Sequence, residues 1–530
     1  MQYADLLAVE NWFEDNWFAS NRVRLAGTSA VYRVPTKAIG GRFLELVVKN
    51  CRVGENVLAD TDTLVGFLNA EFNSPWEEFS LTTELREGKF GDSSIAIHTQ
   101  HPLAIFVPSE KMQPWQSGRS VDRLRRIKAR HPGIDIDILK QYKLVYGWIR
   151  GKDLVECLRL LNIPDEASQQ YCVRCTEKSI AALEAKGFAV ADMKPSHIII
   201  GENDVRAIEA FHSSSGDGAA FLESLVDKGQ YSIIDYELLL RTPEHDKAVF
   251  DARRRVYLKL QRDRFEKTAL PSHLKSEEIM GVPYVCGHTE STGGLLWVVG
   301  RNGELFDYFL PERWRRTHSW RLSEDSEIFY TVSKDHIHLV WKISRVGERP
   351  QSRPEHPHAR AIAVHGYNSP FEEFYIANEL TQKGVGTIYV RAIYRTGSTK
   401  LVPSTDSSRY ISHTGIVCPD GTPILQNSYN YISLRGYFNG LDAWVAANDG
   451  ALCRPLDLDK ALTLEYVTPS LAEGLMGDVL DGVYHAGYDG KFLSMDDLLL
   501  AITPEKTLLK TQDGAIDVRI CNLELIARRM

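Results

Sequence analysis

The sequence predicts an α+β protein of two tandem bilobal domains, each with a strand-rich N-terminal lobe and a helical C-terminal lobe. Three observations carry this prediction. The chain is too long for one core, its halves repeat five short segments in the same order, and within each half the apolar period changes from strand-like to helix-like.

At 530 residues the chain exceeds the ~100 to 250 residues of a single domain, so two large domains are expected. No stretch approaches the ~18 to 20 consecutive apolar residues of a membrane-spanning helix, so a soluble protein without membrane contact is expected. The opening MQYADLLAVENWFEDNWF is acidic and aromatic where a secretory signal is basic and then apolar, which predicts a cytoplasmic location. A net charge of -8 argues against a nucleic-acid partner, and the local run Arg123, Arg125, Arg126, Lys128 and Arg130 reads as a solvated helix face. Cys172 and Cys175 are the only close cysteine pair. They fall in a helical pattern with no second pair to complete a zinc site, and read as idle thiols.

The repeat fixes the domains. VVKNCRVGE at 47–55 matches VWKISRVGE at 340–348, and NSPWEEFSLTTEL from Asn73 matches NSPFEEFYIANEL from Asn368. GWIRGKDL from Gly147 answers GYFNGLDA from Gly436, KPSHIII from Lys194 answers TPEKTLL from Thr503, and IDYELL from Ile234 answers CNLELI from Cys521. The expected organisation is a first copy at 1–265, a linker at 266–280 and a second copy at 281–530.

Alternation in RFLELVVKNC and HIHLVWKISR predicts strands carrying Lys49 and Lys342. Ser74, Pro75, Glu77 and Glu78 make a helix start, repeated by Ser369, Pro370, Glu372 and Glu373. Strands SIAIH, LAIFVP and YKLVYGWI follow. Helices are expected at about 153–161 and 166–186, and short strands around Ile198 and Ile233, with a cleft between the lobes.

Phosphoryl transfer in such a cleft needs a strand lysine on the phosphates, a helix glutamate to orient it, an aspartate near the acceptor hydroxyl and carboxylates for magnesium. The first copy offers Lys49, Glu78 or Glu77, Asp192 with Lys194 to neutralise the transferred phosphate, and Asp235. Glu77 and Glu78 project about 100° apart, so both stay open.

This order and spacing resemble the protein-kinase-like superfamily over most of both halves. ADMKPSHIII looks like its D-x-K-P-x-N catalytic loop, and IIDYELL looks like the D-[FY]-E metal loop of aminoglycoside, choline and RIO-type kinases. The resemblance implies ATP and Mg2+ as cofactors. It implies adenine reading by the backbone at Tyr146, Gly147 and Trp148, a ribose contact at Asp153, and metal ligation by Asp235. His197 stands where the family has the asparagine for a second magnesium. RLAGTSAVYRV keeps only Gly27 of the glycine-rich loop, and Val190 replaces the histidine before Asp192. No peptide-docking segment is recognisable after Asp235, so the acceptor is a protein hydroxyl or a small molecule. AMP transfer, carboxylate activation or a catalytically dead scaffold are the alternative readings. In the repeat alignment Asp192 becomes Ala501, Lys194 becomes Thr503 and Asp235 becomes Asn522, while Lys342 and Glu373 stay. The second copy is therefore expected to be a pseudokinase acting as intramolecular regulator or scaffold.

Overall fold

The computed structural model describes residues 3–25, 30–51, 74–110, 140–214, 216–315, 317–323, 326–349, 362, 366–400, 402–418, 421–437, 454–503 and 505–529. Gly27, the basic run from Arg123 to Arg130, and residues 438–443 of the GYFNGLDA match lie outside the described residues. The fold is mixed α+β with several sheets, and the chain divides into two compact units between residues 249 and 250.

In the first unit α1 (Asp15–Asn21) precedes an antiparallel sheet, whose strands are β1 (Val23–Arg24), β2 (Val31–Pro35) and β3 (Glu45–Asn50). Helix α2 (Pro75–Glu87) and the short β4 (His98–Thr99) follow, then β5 (Pro102–Phe106) and β6 (Lys143–Gly147), giving the sheet order β1-β2-β3-β6-β5. Side chains alternate across a strand, so β3 presents Leu46 and Val48 to a cluster with Trp12, Phe18 and Val145. Val47 instead packs with Leu144, Tyr146 and Leu85 of α2, which puts Lys49 on the α2 face.

Beyond β7 (Gly151–Asp153) the pattern turns helical with α3 (Leu154–Leu160) and α4 (Asp165–Ala185). The elements that follow are β8 (Phe188–Val190), β9 (Ile198–Gly201), α5 (Glu202–Ser213), α6 (Gly218–Asp227), β10 (Ser232–Ile233), β11 (Leu239–Arg241) and α7 (Pro243–Arg262). A second sheet runs β4-β10-β9-β7. A Cβ on Gly151 would sit 2.0 Å from the Ile200 carbonyl oxygen, so only glycine lets β7 lie against β9 here.

The second unit contains β12 (Lys275–Ile279), β13 (Val282–Thr289), β14 (Gly294–Val299), β15 (Ser319–Arg321), β16 (Ile328–Val332) and β17 (His338–Ile343). After α8 (Pro370–Gln382) come β18 (Val390–Thr399) and β19 (Tyr429–Gly436). Its sheet has the order β12-β13-β14-β18-β19-β17-β16-β15. Read from β15 to β18 this reproduces the five strands of the first unit, and β14, β13 and β12 extend the β18 edge. Lys342 pairs with Ser433 as Lys49 pairs with Leu144, so the registers correspond and Arg435 takes the place of Tyr146. β12 falls within residues 266–280, where the sequence suggested a linker.

The remainder is β20 (Arg454–Asp457), α9 (Leu458–Thr463), α10 (Pro469–His485), β21 (Tyr488–Asp489), β22 (Leu498–Ile502), β23 (Arg519–Ile520) and β24 (Ala527–Arg528). Two expected correspondences are corrected here. The single-turn helices Pro195–His197 and Met495–Asp497, and the strands that begin at Ile198 and Leu498, recur at the same spacing. Asp192 therefore corresponds to Phe492 and not Ala501, Lys194 to Ser494 and not Thr503, and His197 to Asp497. Ala501 pairs with Pro455 as Gly201 pairs with Gly151. Thr503 lies past the strand in a tight turn, its amide donating to Thr507 O at 2.8 Å. A proline before an apolar run produced the false match. Likewise Asp457 is the counterpart of Asp153: each ends a strand and caps the next helix, Asp457 by accepting from Lys460 N at 2.7 Å. No described helix is long and apolar enough to cross a membrane.

Candidate functional site

Helix α2 begins with a capping box that decides between the two adjacent glutamates. Ser74 Oγ accepts from Glu77 N at 3.3 Å, and Glu77 Oε2 accepts from Ser74 N at 3.0 Å. Glu77 is thus engaged at the helix start, and the 100° step turns Glu78 inward to Lys49, whose Nζ donates to Glu78 Oε1 at 3.0 Å.

Lys49 also donates to Asp235 Oδ1 at 2.8 Å and lies 3.4 Å from Glu237 Oε2. Burial pulls the Lys49 ammonium down, but Asp235, Glu78 and Glu237 outweigh it and hold the group well above its ordinary value. Burial pushes Glu78 up, with Lys49 opposing. At Asp235 burial also pushes up, yet Lys49 and His197 leave the carboxyl well below its ordinary value. Glu78 and Lys49 are sealed, at 1% and 6% side-chain exposure, while Asp235 keeps 37% and forms the open wall of the cluster.

Asp235 adopts φ +66°, a left-handed backbone uncommon outside glycine, and its counterpart Asn522 has no positive φ. The preceding Ile234 N donates to His197 O at 2.9 Å, which ties the loop after Lys194 to the Asp235 turn. His197 Nε2 stands 3.8 Å from Asp235 Oδ2. Burial lowers the His197 imidazole, while Asp235 and Asp192 raise it and Lys194 and Lys49 lower it. One ring therefore feels all four charged groups. Asp192 and the more exposed Lys194 form an ion pair beside it.

The remaining expected residues lie along the end of β6 and at the start of α3. Tyr146 points inward, its hydroxyl donating to Glu78 Oε1 at 2.7 Å. The Gly147 and Trp148 amides donate to His101 O and Glu45 O, both at 2.9 Å, so neither is open to adenine. The next amide, Ile149, has no acceptor among the described residues. Trp148 packs under Arg33, whose guanidinium carbon is 4.7 Å from its ring centroid. Asp153 caps α3 by accepting from Glu156 N at 2.8 Å.

In the second unit the same positions close on themselves. Lys342 lies 2.8 Å from Glu524 Oε1 and 3.8 Å from Glu373 Oε2, and its Nζ donates to Asn522 Oδ1 at 3.3 Å. Arg345 donates to Glu524 Oε2 at 2.6 Å, and Arg435 donates to Glu373. Asn522 Nδ2 donates to Asp497 Oδ1 at 2.9 Å. Three cations thus share the two carboxylates Glu373 and Glu524, and Asn522 joins Lys342 to Asp497. In the first unit Lys49 meets Glu78, Asp235 and Glu237.

Sequence reasoning missed Glu237 and Glu524, although both stand aligned in IDYELL and CNLELI, and it missed the inward roles of Tyr146 and Arg435. Among the described residues no three His, Cys, Asp or Glu side chains are grouped to hold a metal alone. Magnesium asks for less, since it takes one or two carboxylates with substrate phosphates and water. The anionic oxygens of Asp235 and Glu237 fit that donor set. No protein-family model matches the chain, and no curated protein matches it.

Proposed function

We propose that the chain is a tandem of two bilobal protein-kinase-like domains, the first an ATP- and magnesium-dependent phosphotransferase and the second a pseudokinase. The observation that carries the reading is Lys49 bridging Glu78 of α2 and Asp235 of the loop after β10, beside the Asp192–Lys194 pair. Lys49 would turn from the carboxylates to the nucleotide phosphates while Glu78 keeps it aimed. Asp235 and Glu237 would hold magnesium, which when bound neutralises charge on the phosphates. Asp192 would accept the proton of the acceptor hydroxyl, and Lys194 would offset charge on the transferred group. The Ile149 amide is the donor left for adenine at the strand end.

Phe492 can accept no proton and Asn522 brings no charge to a divalent metal, so the second unit lacks both functions and serves as regulator or scaffold for the first. The acceptor is a protein hydroxyl or a small molecule, and a cytoplasmic location accords with ATP use.

The test uses purified full-length protein with magnesium and ATP labelled on the γ or the α phosphate, beside Asp192→Ala and Asp235→Asn. Transfer or ADP release from γ-labelled ATP, lost in both variants, is expected. Incorporation of the α label would replace the assignment with AMP transfer. No turnover and no rise in melting temperature with ATP and magnesium would leave a binding scaffold.

A further inference from the structure

The second unit contains a buried cation with no counter-ion. Arg264, just past the end of α7, is 6% exposed, and its Nε has no hydrogen-bond partner. Its guanidinium makes no ion pair among the described residues, and its central carbon lies 4.7 Å from the Phe265 ring centroid. The backbone is pinned, because Arg264 O accepts from Arg301 N at 2.7 Å and a Cβ on the neighbouring Gly300 would sit 2.5 Å from that oxygen. The backbone at the root of the side chain is therefore fixed in place.

A second guanidinium adds to the positive potential. Arg391 is 2% exposed and is the extra residue of a β-bulge, since Val390 pairs with Arg435 and Ala392 with Leu434. Arg391 and Arg519 both lie over Tyr389, with guanidinium carbons 5.7 and 5.2 Å from the ring centroid. Arg519 is matched by Asp517 at 2.8 Å. Burial and then Arg391 push Arg264 down to about 9, which still leaves it charged at neutral pH. Gln261, three residues earlier, is also 6% exposed with its Oε1 unpartnered. Its amide orientation is interchangeable, so it can offer N–H donors instead.

A buried guanidinium cannot shed its charge and is stable only when paired. We propose that Arg264, with Arg391 beside it and Gln261 in the last turn of α7, forms a binding site for a small phosphate-bearing anion. The planar guanidinium fork suits two oxygens of one phosphate group. The site lies in the second unit, where Lys342 has other partners, Glu373, Glu524 and Asn522.

The experiment titrates full-length protein with inorganic phosphate and, separately, glycerol 3-phosphate at constant ionic strength, following bound ligand by calorimetry and the melting temperature. Wild type is expected to bind one anion that Arg264→Met loses by at least tenfold in affinity. Without ligand Arg264→Met should melt at or above wild type, because an unpaired charge has gone. Tighter binding of glycerol 3-phosphate identifies an organic phosphate as the ligand, and tighter inorganic phosphate identifies the free ion. Equal binding by wild type and Arg264→Met, no anion bound by wild type, or a ligand-free variant that melts several degrees lower or fails to fold would each overturn the site.

Discussion

The phenol of Tyr146 donates to Glu78 Oε1 at 2.7 Å, the same oxygen that Lys49 Nζ reaches at 3.0 Å. One carboxylate oxygen thus joins β6 to β3 through α2. At the corresponding place in the second unit Arg435 binds Glu373, exchanging a neutral donor for a charged one.

Tyr146→Phe removes that donor and leaves the Glu78 oxygen less satisfied in a sealed site. A buried hydrogen bond of this kind contributes about 1 to 2 kcal/mol. The phosphotransfer proposed for the first unit should fall roughly tenfold with circular dichroism unchanged. Steady-state kinetics beside a wild-type control checks it, and full activity would mean that Lys49 alone fixes Glu78.

Lys49→Met removes the ammonium that Glu78, Asp235 and Glu237 share. Breaking a buried ion pair from one side costs about 3 to 5 kcal/mol. Urea unfolding should show this loss at pH 7 and a smaller one at pH 5, because protonation of a carboxylate relieves the repulsion. An equal loss at both pH values would contradict the electrostatic account.

Burial pushes Glu524 up, but Lys342 and Arg345 prevail and set it well below its ordinary value of 4.5. A depressed carboxyl contributes stability that is fully present above its unfolded value and lost as pH falls toward its folded value. The second unit should therefore lose stability below about pH 4.5. Glu524→Gln should flatten that acid slope in thermal melts followed against pH. An unchanged slope would assign it to other groups.

Asn522→Asp puts a carboxylate against Asp497, which now accepts from Asn522 Nδ2 at 2.9 Å. Burial already raises Asp497. The variant should be destabilised by about 1 to 3 kcal/mol at neutral pH, recovering part of this as the pH is lowered. It should gain no phosphotransfer, because Phe492 remains where Asp192 would be. Chemical denaturation and the labelled-ATP assay read the two outcomes.

Local signals carried the candidate site as far as single elements. Alternation in RFLELVVKNC placed Lys49 on a strand, and the Ser74 cap with Pro75 placed the glutamates at a helix start, since both are short-range rules. The choice of Glu78 over Glu77 needed the cap itself, because one carboxylate had to close the capping box. The tight turn of Thr503 and Thr507 imitated KPSHIII in sequence through a proline and apolar residues, while KFLSMDDLLL at 491–500, the true counterpart, shares little beyond its apolar end. Backbone hydrogen bonding preserves that segment even where side chains have diverged.

The sequence by itself determined the duplication, the lysine strands, the capped glutamate helices and the loss of charge at Asn522, because each is written in neighbouring residues or in direct repetition. Only the tertiary structure decided that Lys49 meets three carboxylates while Lys342 shares Glu373 and Glu524 with Arg435 and Arg345, and that Phe492 holds the position equivalent to Asp192. Those facts depend on which residues distant in sequence share one buried volume, and charge there is settled by the neighbours the fold brings together.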